Sequence, residues 1–317
     1  MYAIVTGSTG MLGVALIKLL LEEGFNVVAV ARPGSKRINN IPEDDRVSIV
    51  ELELEDMGLL PGVLSSIGVT NAKYFFHLAW DGTFGNSRND MDCQTANIKA
   101  SLDAVAAAAS LGCEGFMGAG SQAEYGRVMD GTKLSDKTPT NPENGYGIAK
   151  LCAGQMTRIK CEELGMKHVW IRILSTYGML DGAHTMVMSI IKACQEGRRA
   201  SCTKGEQMWD YLYAKDAARA FYLALSKGKS GSIYPIGSGN VMPLKDYIVA
   251  IRDACSKVYG KEMPEIGFGD VDYYPGQVMY LCADIDNLTK DTGFVPQYSF
   301  EEGILELVTE LKALEDA

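Results

Sequence analysis

The sequence predicts an α/β protein with a doubly wound parallel sheet and a smaller C-terminal lobe. Three observations predict it. An apolar run, Tyr2 to Val5, opens directly into the turn Thr6-Gly7-Ser8-Thr9-Gly10-Met11-Leu12-Gly13. Strand-like and helix-like runs then alternate as far as Leu174, the pattern of a parallel sheet whose crossovers are helices. Beyond Leu174 the alternation gives way to turn signals at Gly178, Gly182, Gly205, Gly237-Ser238-Gly239, Pro264 and Pro275-Gly276.

The first element is a strand that runs into a glycine turn and a helix. Glycines let such a turn tighten and let backbone approach a pyrophosphate, while Met11 to Glu23 carries Leu12, Leu16, Leu19 and Leu20 at helical spacing. That order predicts a dinucleotide held by Gly7, Thr9, Gly10, Met11, Leu12 and Gly13. The second strand, Asn26 to Val30, ends at Ala31-Arg32-Pro33-Gly34-Ser35-Lys36-Arg37, where such a fold meets the adenosine ribose. A 2′-hydroxyl there calls for a carboxylate, a 2′-phosphate for arginine and other donors. No acidic residue lies between Glu23 and Glu43, whereas Arg32, Ser35, Lys36 and Arg37 place three cations and a hydroxyl within six residues. The expected cofactor is NADP, with Arg32 as the main phosphate contact; NAD is the alternative.

Val47 to Leu54, Tyr74 to Ala79, Gly115 to Ala119 and Val169 to Leu174 read as further strands. Between them, Asp92 to Leu111 reads as an alanine-rich helix. Tyr146 to Leu164 reads as a helix that gathers Ile148, Leu151, Cys152, Met156 and Ile159 near one face, and both helices are suited to packing against a partner subunit. A final amphipathic helix covers Ser299 to Ala313. The expected division is a dinucleotide-binding domain over 1–175 and, over 176–317, a mostly substrate-binding lobe with some segments returning to the first domain.

Composition narrows the function. The 317 residues, 47% of them hydrophobic, suffice for a sizeable core, and a net charge of -10 argues against nucleic acid or a polybasic membrane contact. Cysteines at 93, 113, 152, 161, 194, 202, 255 and 282 form no C-x-x-C pair and read as reduced, mostly buried thiols. With only His77, His168 and His184 scattered along the chain, no metal is expected. No basic-then-apolar leader and no apolar run of about 18 residues occurs, so a cytoplasmic protein is expected.

Ser121 follows a strand and so sits at a carboxyl end, where open α/β sheets bind ligands. Tyr146 and Lys150 lie four apart, a spacing that puts phenol and ammonium on one helix face, where the cation favours the phenolate. Reduction of a ketone needs these groups: Tyr146 to protonate the developing alkoxide as hydride arrives from a nicotinamide, Ser121 to hold the same oxygen, and Lys150 to bind the nicotinamide ribose as well. The same spacing recurs at Tyr211 and Lys215. That pair lies in an alternating stretch, Trp209 to Tyr213, with no serine-bearing strand end before it, and reads as structural.

These residues resemble the extended short-chain dehydrogenase/reductase family of sugar-nucleotide epimerases, dehydratases and ketoreductases, over nearly the whole chain. Thr6 to Gly13 is similar to its T-G-x-x-G-x-x-G, Glu53-Leu54 to its adenine contact, His77-Leu78-Ala79 to its H-x-A segment and Asn97 to its helix asparagine. Ser121-Gln122-Ala123-Glu124-Tyr125-Gly126 resembles its S/T-x-x-x-Y-G, Tyr146 and Lys150 its Y-x-x-x-K, and Pro275-Gly276 with Ala283-Asp284 its late substrate-lobe signature. The resemblance implies a Rossmann domain, cofactor contacts at Glu53, Leu54, Leu78, Ala79 and Asn97, and a homodimer through a four-helix interface. His77, taken by itself, reads as a satisfied core histidine.

Departures from the family pattern carry information too. The family's 4,6-dehydratases place an acid pair after the serine or threonine; here Gln122 and Ala123 stand there, and an amide cannot deliver that proton. The family's phosphate-gripping arginine before Asp-Tyr is replaced by Trp209, its late arginine before Pro-Gly by Tyr274, and the asparagine of N-x-Y-G by Ser175. Either Arg88, in the polar loop Trp80 to Asp92, and neighbouring donors replace that clamp, or the substrate carries no nucleotide. The expected function is NADP-dependent reduction of a carbonyl on a 4-keto deoxysugar, nucleotide-linked, with Trp80, Arg88, Gln122, Ser175, Trp209 and Tyr274 toward the substrate. The alternatives are an NAD-dependent sugar-nucleotide epimerase and a non-catalytic dinucleotide-binding protein.

Overall fold

Runs of apolar residues with no alternation make strands that are buried on both faces, and such strands need helices above and below. The computed structural model describes residues 1–316. Its first part runs β1 (Tyr2–Thr6), α1 (Met11–Glu22), β2 (Asn26–Ala31), β3 (Val47–Glu51), α2 (Leu60–Ser66), β4 (Tyr74–His77), α3 (Met91–Ser110), β5 (Gly115–Ser121), α4 (Gly145–Glu163) and β6 (Lys167–Ile173). There follow β7 (Ser175–Tyr177), α5 (Met186–Gln195), β8 (Ser201–Cys202), β9 (Met208–Trp209), β10 (Tyr211–Tyr213), α6 (Ala214–Lys227) and β11 (Ser232–Ile236). The last elements are β12 (Met242–Pro243), α7 (Leu244–Tyr259), β13 (Gly267–Phe268), α8 (Asp286–Thr292) and α9 (Phe300–Glu315).

Seven parallel strands make the central sheet in the order β11-β6-β5-β4-β1-β2-β3. The strand order reverses between β1 and β4, so the crevice beyond Thr6 and His77 is the topological switch point, where open α/β sheets bind ligands. On one face of the sheet α1 and α6 bury Leu16, Ile17, Leu20, Phe221 and Leu225; on the other α2 and α3 bury Leu60, Leu64 and Val105 against Phe75 and Phe116. A third cluster belongs to α5, α7 and α9, where Phe300 meets Tyr247 and Tyr177 at ring separations of 4.6 and 4.8 Å. Buried Asp210, just before β10, ties the loop after β11 to the segment before α8, accepting from the N–H groups of Ser238, Gly239 and Ala283.

The structure departs from the sequence expectation at several strands; β4 ends at His77 rather than Ala79, and β6 runs from Lys167 to Ile173. β3 stops at Glu51 because a 3₁₀ turn, Leu54–Leu59, tucks Met57 into the core. β5 runs on to Ser121, which is therefore its last residue. β11 was not anticipated; its Pro235 lacks a donor, and an edge position tolerates that. Among the described residues no helix is long and apolar enough to cross a membrane.

Candidate active site

The turn after β1 is held too tightly for side chains. Gly7 has φ of +68°, and a Cβ there would lie 2.9 Å from the amide nitrogen of Ala79; one at Gly13 would run into the Gly7 carbonyl and lie 2.9 Å from the Ser8 Cα. Leu78 and Ala79 thus abut the turn through their backbone. α1 starts after Gly10 with no side-chain cap and no acidic residue in its first turn, so the N–H groups of its opening turn, at Met11, Leu12 and Gly13, are free for an anion. A cradle with no room for Cβ atoms and an uncapped helix start fit the pyrophosphate of a dinucleotide.

Of the residues expected at the cofactor, Gly7, Thr9, Arg32, Ser35, Arg37, Leu54 and Ala79 line the adjoining cleft, together with Leu52, Trp80 and Asp81. Lys36 and Glu53 are exposed and do not line it. Arg32 pairs with Asp81 across it at 3.7 Å. Asn97 is buried and acts on the loop rather than the cleft: its side chain accepts from Asp81 N–H and donates to the Asp81 carbonyl, both at 2.9 Å. His77 lies 3.0 Å from Thr6 Oγ1 and 3.3 Å from Ser101 Oγ, and burial lowers its pKa to about 3, so it is a satisfied neutral core histidine.

Ser121 closes β5 at the sheet's carboxyl end. Its hydroxyl accepts from Ala123 N–H at 3.1 Å, and its own N–H donates to Glu124 Oε1 at 2.8 Å. Glu124 is wholly buried; it also accepts from Trp170 Nε1 at 2.9 Å and from Arg172 Nε at 2.7 Å. Tyr146 and Lys150 lie on the opening turns of α4, which Asn144 caps by accepting from Gly147 N–H. The Lys150 ammonium is buried, donates to the Ala119 carbonyl at 2.7 Å, and lies 3.7 Å over the Trp80 ring and 5.8 Å from the centre of the Tyr146 ring. Arg88 sits 4.6 Å over that same tyrosine ring.

The charges differ from the simple expectation. Burial drives Lys150 down to about 7, with Glu124 opposing. Burial likewise raises the Tyr146 hydroxyl, and the Ser121 hydroxyl and the Arg88 guanidinium pull it down only in part. The expected lowering of the tyrosine by the lysine is not found: burial dominates, and the ammonium donates to the Ala119 carbonyl and faces the Trp80 ring. At the recurring pair, Tyr211 is packed edge-on against Tyr247 at 5.1 Å, and Lys215 forms an ion pair with Glu306.

Beside Ser121 and Tyr146 opens a second cleft. Of the residues expected toward the substrate, Arg88, Gln122, Trp209 and Tyr274 line it. Ser175 and Trp80 do not: Ser175 accepts from Trp209 Nε1 at 2.8 Å, behind the wall, and Trp80 belongs to the cofactor side. Gln122 Oε1 is buried without a hydrogen-bond partner. Sequence reasoning missed Arg127, which lines this cleft, pairs with Glu143 at 3.1 Å and packs on Gly276, where a Cβ would come within 3.0 Å of its Nη2. Its one sequence signal was its place directly after Tyr125-Gly126.

Residues 3–237 match the model of the NAD dependent epimerase/dehydratase family. A dTDP-glucose 4,6-dehydratase of Shigella flexneri is 27% identical over 179 residues, which are 55% of this chain and 49% of that protein. The aligned region thus spans about half the length of that dehydratase. A dTDP-4-dehydro-6-deoxyglucose reductase of Escherichia coli is 25% identical over 318 residues, 98% of this chain and 97% of that protein. The solved structure of UDP-glucose 4-epimerase from Thermotoga maritima, with UDP-glucose, has the same fold, with a TM-score of 0.84 at 23% identity, covering 99% of this chain and 100% of that one. Since the family match runs from β1 through the strand that completes the sheet, this chain belongs to the NAD dependent epimerase/dehydratase family, the extended short-chain dehydrogenases/reductases of sugar-nucleotide chemistry.

Proposed function

We propose that this protein reduces the keto group of a nucleotide-linked deoxysugar with NADPH. The observation that carries the reading is the basic rim of the cofactor cleft: Arg32, Ser35 and Arg37 stand where β2 ends, and no carboxylate occupies that stretch. The cofactor, when bound, supplies the hydride. Ser121 already accepts from Ala123 N–H, so its own proton is available to the carbonyl oxygen of the substrate. Tyr146, kept protonated by burial, is suited to give a proton to that oxygen as negative charge develops on it.

The second cleft supports a sugar that carries a diphosphate. Gln122 Oε1 lacks a partner and suits a sugar hydroxyl, while Arg88 and Arg127 offer cations in place of the missing clamp. Water elimination is not part of the reading, because Gln122 and Ala123 provide no acid. The full-length resemblance to a reductase of a 4-keto deoxysugar nucleotide supports the same direction. The proposal includes a homodimer: α3 and α4 pack side by side, and α4 leaves Ile148, Met156 and Ile159 uncovered.

One observation favours a second reading, an NAD-dependent epimerase. Asp81 pairs with Arg32, which leaves a carboxylate in the cleft to meet a free ribose 2′-hydroxyl. Titration of NADPH and NADH into wild type and R32A separates the two. The reductase reading expects NADPH to bind more tightly and the variant to lose about 10- to 100-fold for NADPH alone, the worth of a charged hydrogen bond. NAD that co-purifies and binds R32A as well as wild type would overturn it in favour of the epimerase.

A further inference from the structure

We propose that Trp80 is a positioning residue for the Tyr146–Lys150 pair, the face of its indole holding the Lys150 ammonium and its edge bracing the Tyr146 ring. Residue 80 follows the glycine-turn contacts Leu78 and Ala79, and its ring is fixed rather than merely adjacent. Trp80 Nε1 donates to Gln94 Oε1 at 2.9 Å. Gln94 is itself buried on α3 and donates to the carbonyls of Gly82 and Ser87, each at 3.0 Å. With Asn97 holding Asp81, two buried amides of one helix pin the loop that delivers both Trp80 and Arg88.

The indole supplies what the lysine lacks. A buried ammonium ordinarily requires a carboxylate partner. The charged groups facing Lys150 do not provide one. Glu124 acts on it only at a distance and is already bonded to Arg172; His77 is neutral, the Tyr146 phenol is protonated, and Arg88 is a cation on the tyrosine ring. What remains is the Ala119 carbonyl and the face of Trp80 at 3.7 Å, within the range where an aromatic quadrupole stabilises a cation. The same indole meets Tyr146 edge-on with ring centres 6.2 Å apart, so one side chain fixes both members of the pair. The catalytic consequence rests on the reading of Tyr146 and Lys150 under Proposed function; the contact itself does not.

The test is NMR of protein carrying lysine labelled with ¹³C at Cε, with the Lys150 signal assigned by its loss in K150M. In wild type the Lys150 Cε protons should lie well upfield of the other lysines, through the indole ring current, and should return toward ordinary positions in Q94A, which unmoors the ring. W80L keeps apolar bulk but removes the π face, so its Lys150 midpoint should fall by about 0.5 to 1.5 pH, whereas W80F should restore most of it. The pH profile of turnover should move with that midpoint. An ordinary Lys150 shift in wild type overturns the proposal even if W80L does not fold, and so does an unmoved midpoint in W80L. Absence of carbonyl reduction with the NMR signature intact would instead count against the proposed reaction alone.

Discussion

Removing the Glu124 carboxylate is expected to destabilise the fold and disable Ser121 together. Glu124 and Arg172 form an ion pair at 2.7 Å whose side chains are only 1% and 2% exposed, and Arg172 Nη1 already lacks a partner. In E124L the guanidinium stays buried without its counter-charge, and the donors on Ser121 and Trp170 lose their acceptor. Breaking such a pair costs about 3–5 kcal/mol. At about 2.1 cal/mol/K of unfolding entropy per residue, a chain of 317 residues loses about 6 °C of Tm for 4 kcal/mol. Differential scanning calorimetry measures this, and the double variant E124L/R172M supplies the control, since it removes both charges. The double variant should recover at least half of the loss. A Tm for E124L within about 2 °C of wild type, or a double variant less stable than E124L, would refute the reasoning.

Three other outcomes are expected. G13A, whose new Cβ would press on the Gly7 carbonyl, should weaken dinucleotide binding at least about tenfold in a fluorescence titration, while α1 itself persists. K150M should end turnover yet raise stability. Lys150 titrates at about 7 when folded and at 10.5 when unfolded, so its burial cost is fully present below pH 7 and is relieved as pH rises toward 10.5. Urea unfolding should show an advantage for K150M on the order of 4 kcal/mol at pH 6 that shrinks steadily above neutrality. I159E, a charge set into the uncovered face of α4, should convert the proposed homodimer to a monomer in sedimentation equilibrium; a monomeric wild type, or a mass unchanged by the substitution, would refute that interface.

The elements that were legible are those whose cause is local. The turn from Thr6 to Gly13 follows from glycine geometry, and the Tyr146–Lys150 face follows from helical spacing, so both could be read without tertiary knowledge. Glu124 was read only as a motif position, because nothing local says that a carboxylate will be enclosed and matched by an arginine on the next strand. Sequence alone puts Trp80 with the substrate for the same reason. Its neighbour Lys150 is remote in sequence, and the indole is held there by a hydrogen bond to Gln94 on α3. β11 escaped notice because five residues with a proline carry too little periodicity to announce a strand.

The late arrival of β11 has a bearing on how the chain is made. A polypeptide emerging from the ribosome N-terminus first produces β6, with Val169, Trp170 and Ile171 already fit for burial, long before Ser232–Ile236 exists to pair with it. Until then the outer edge of β6 offers its unpaired amides and carbonyls to any extended strand it meets, its own kind included. The growing chain is thus exposed to misassembly for the whole time taken to synthesise residues 174–231. Faster translation of that stretch, or a holding chaperone bound to it, would shorten or cover the interval without changing a single contact in the finished enzyme.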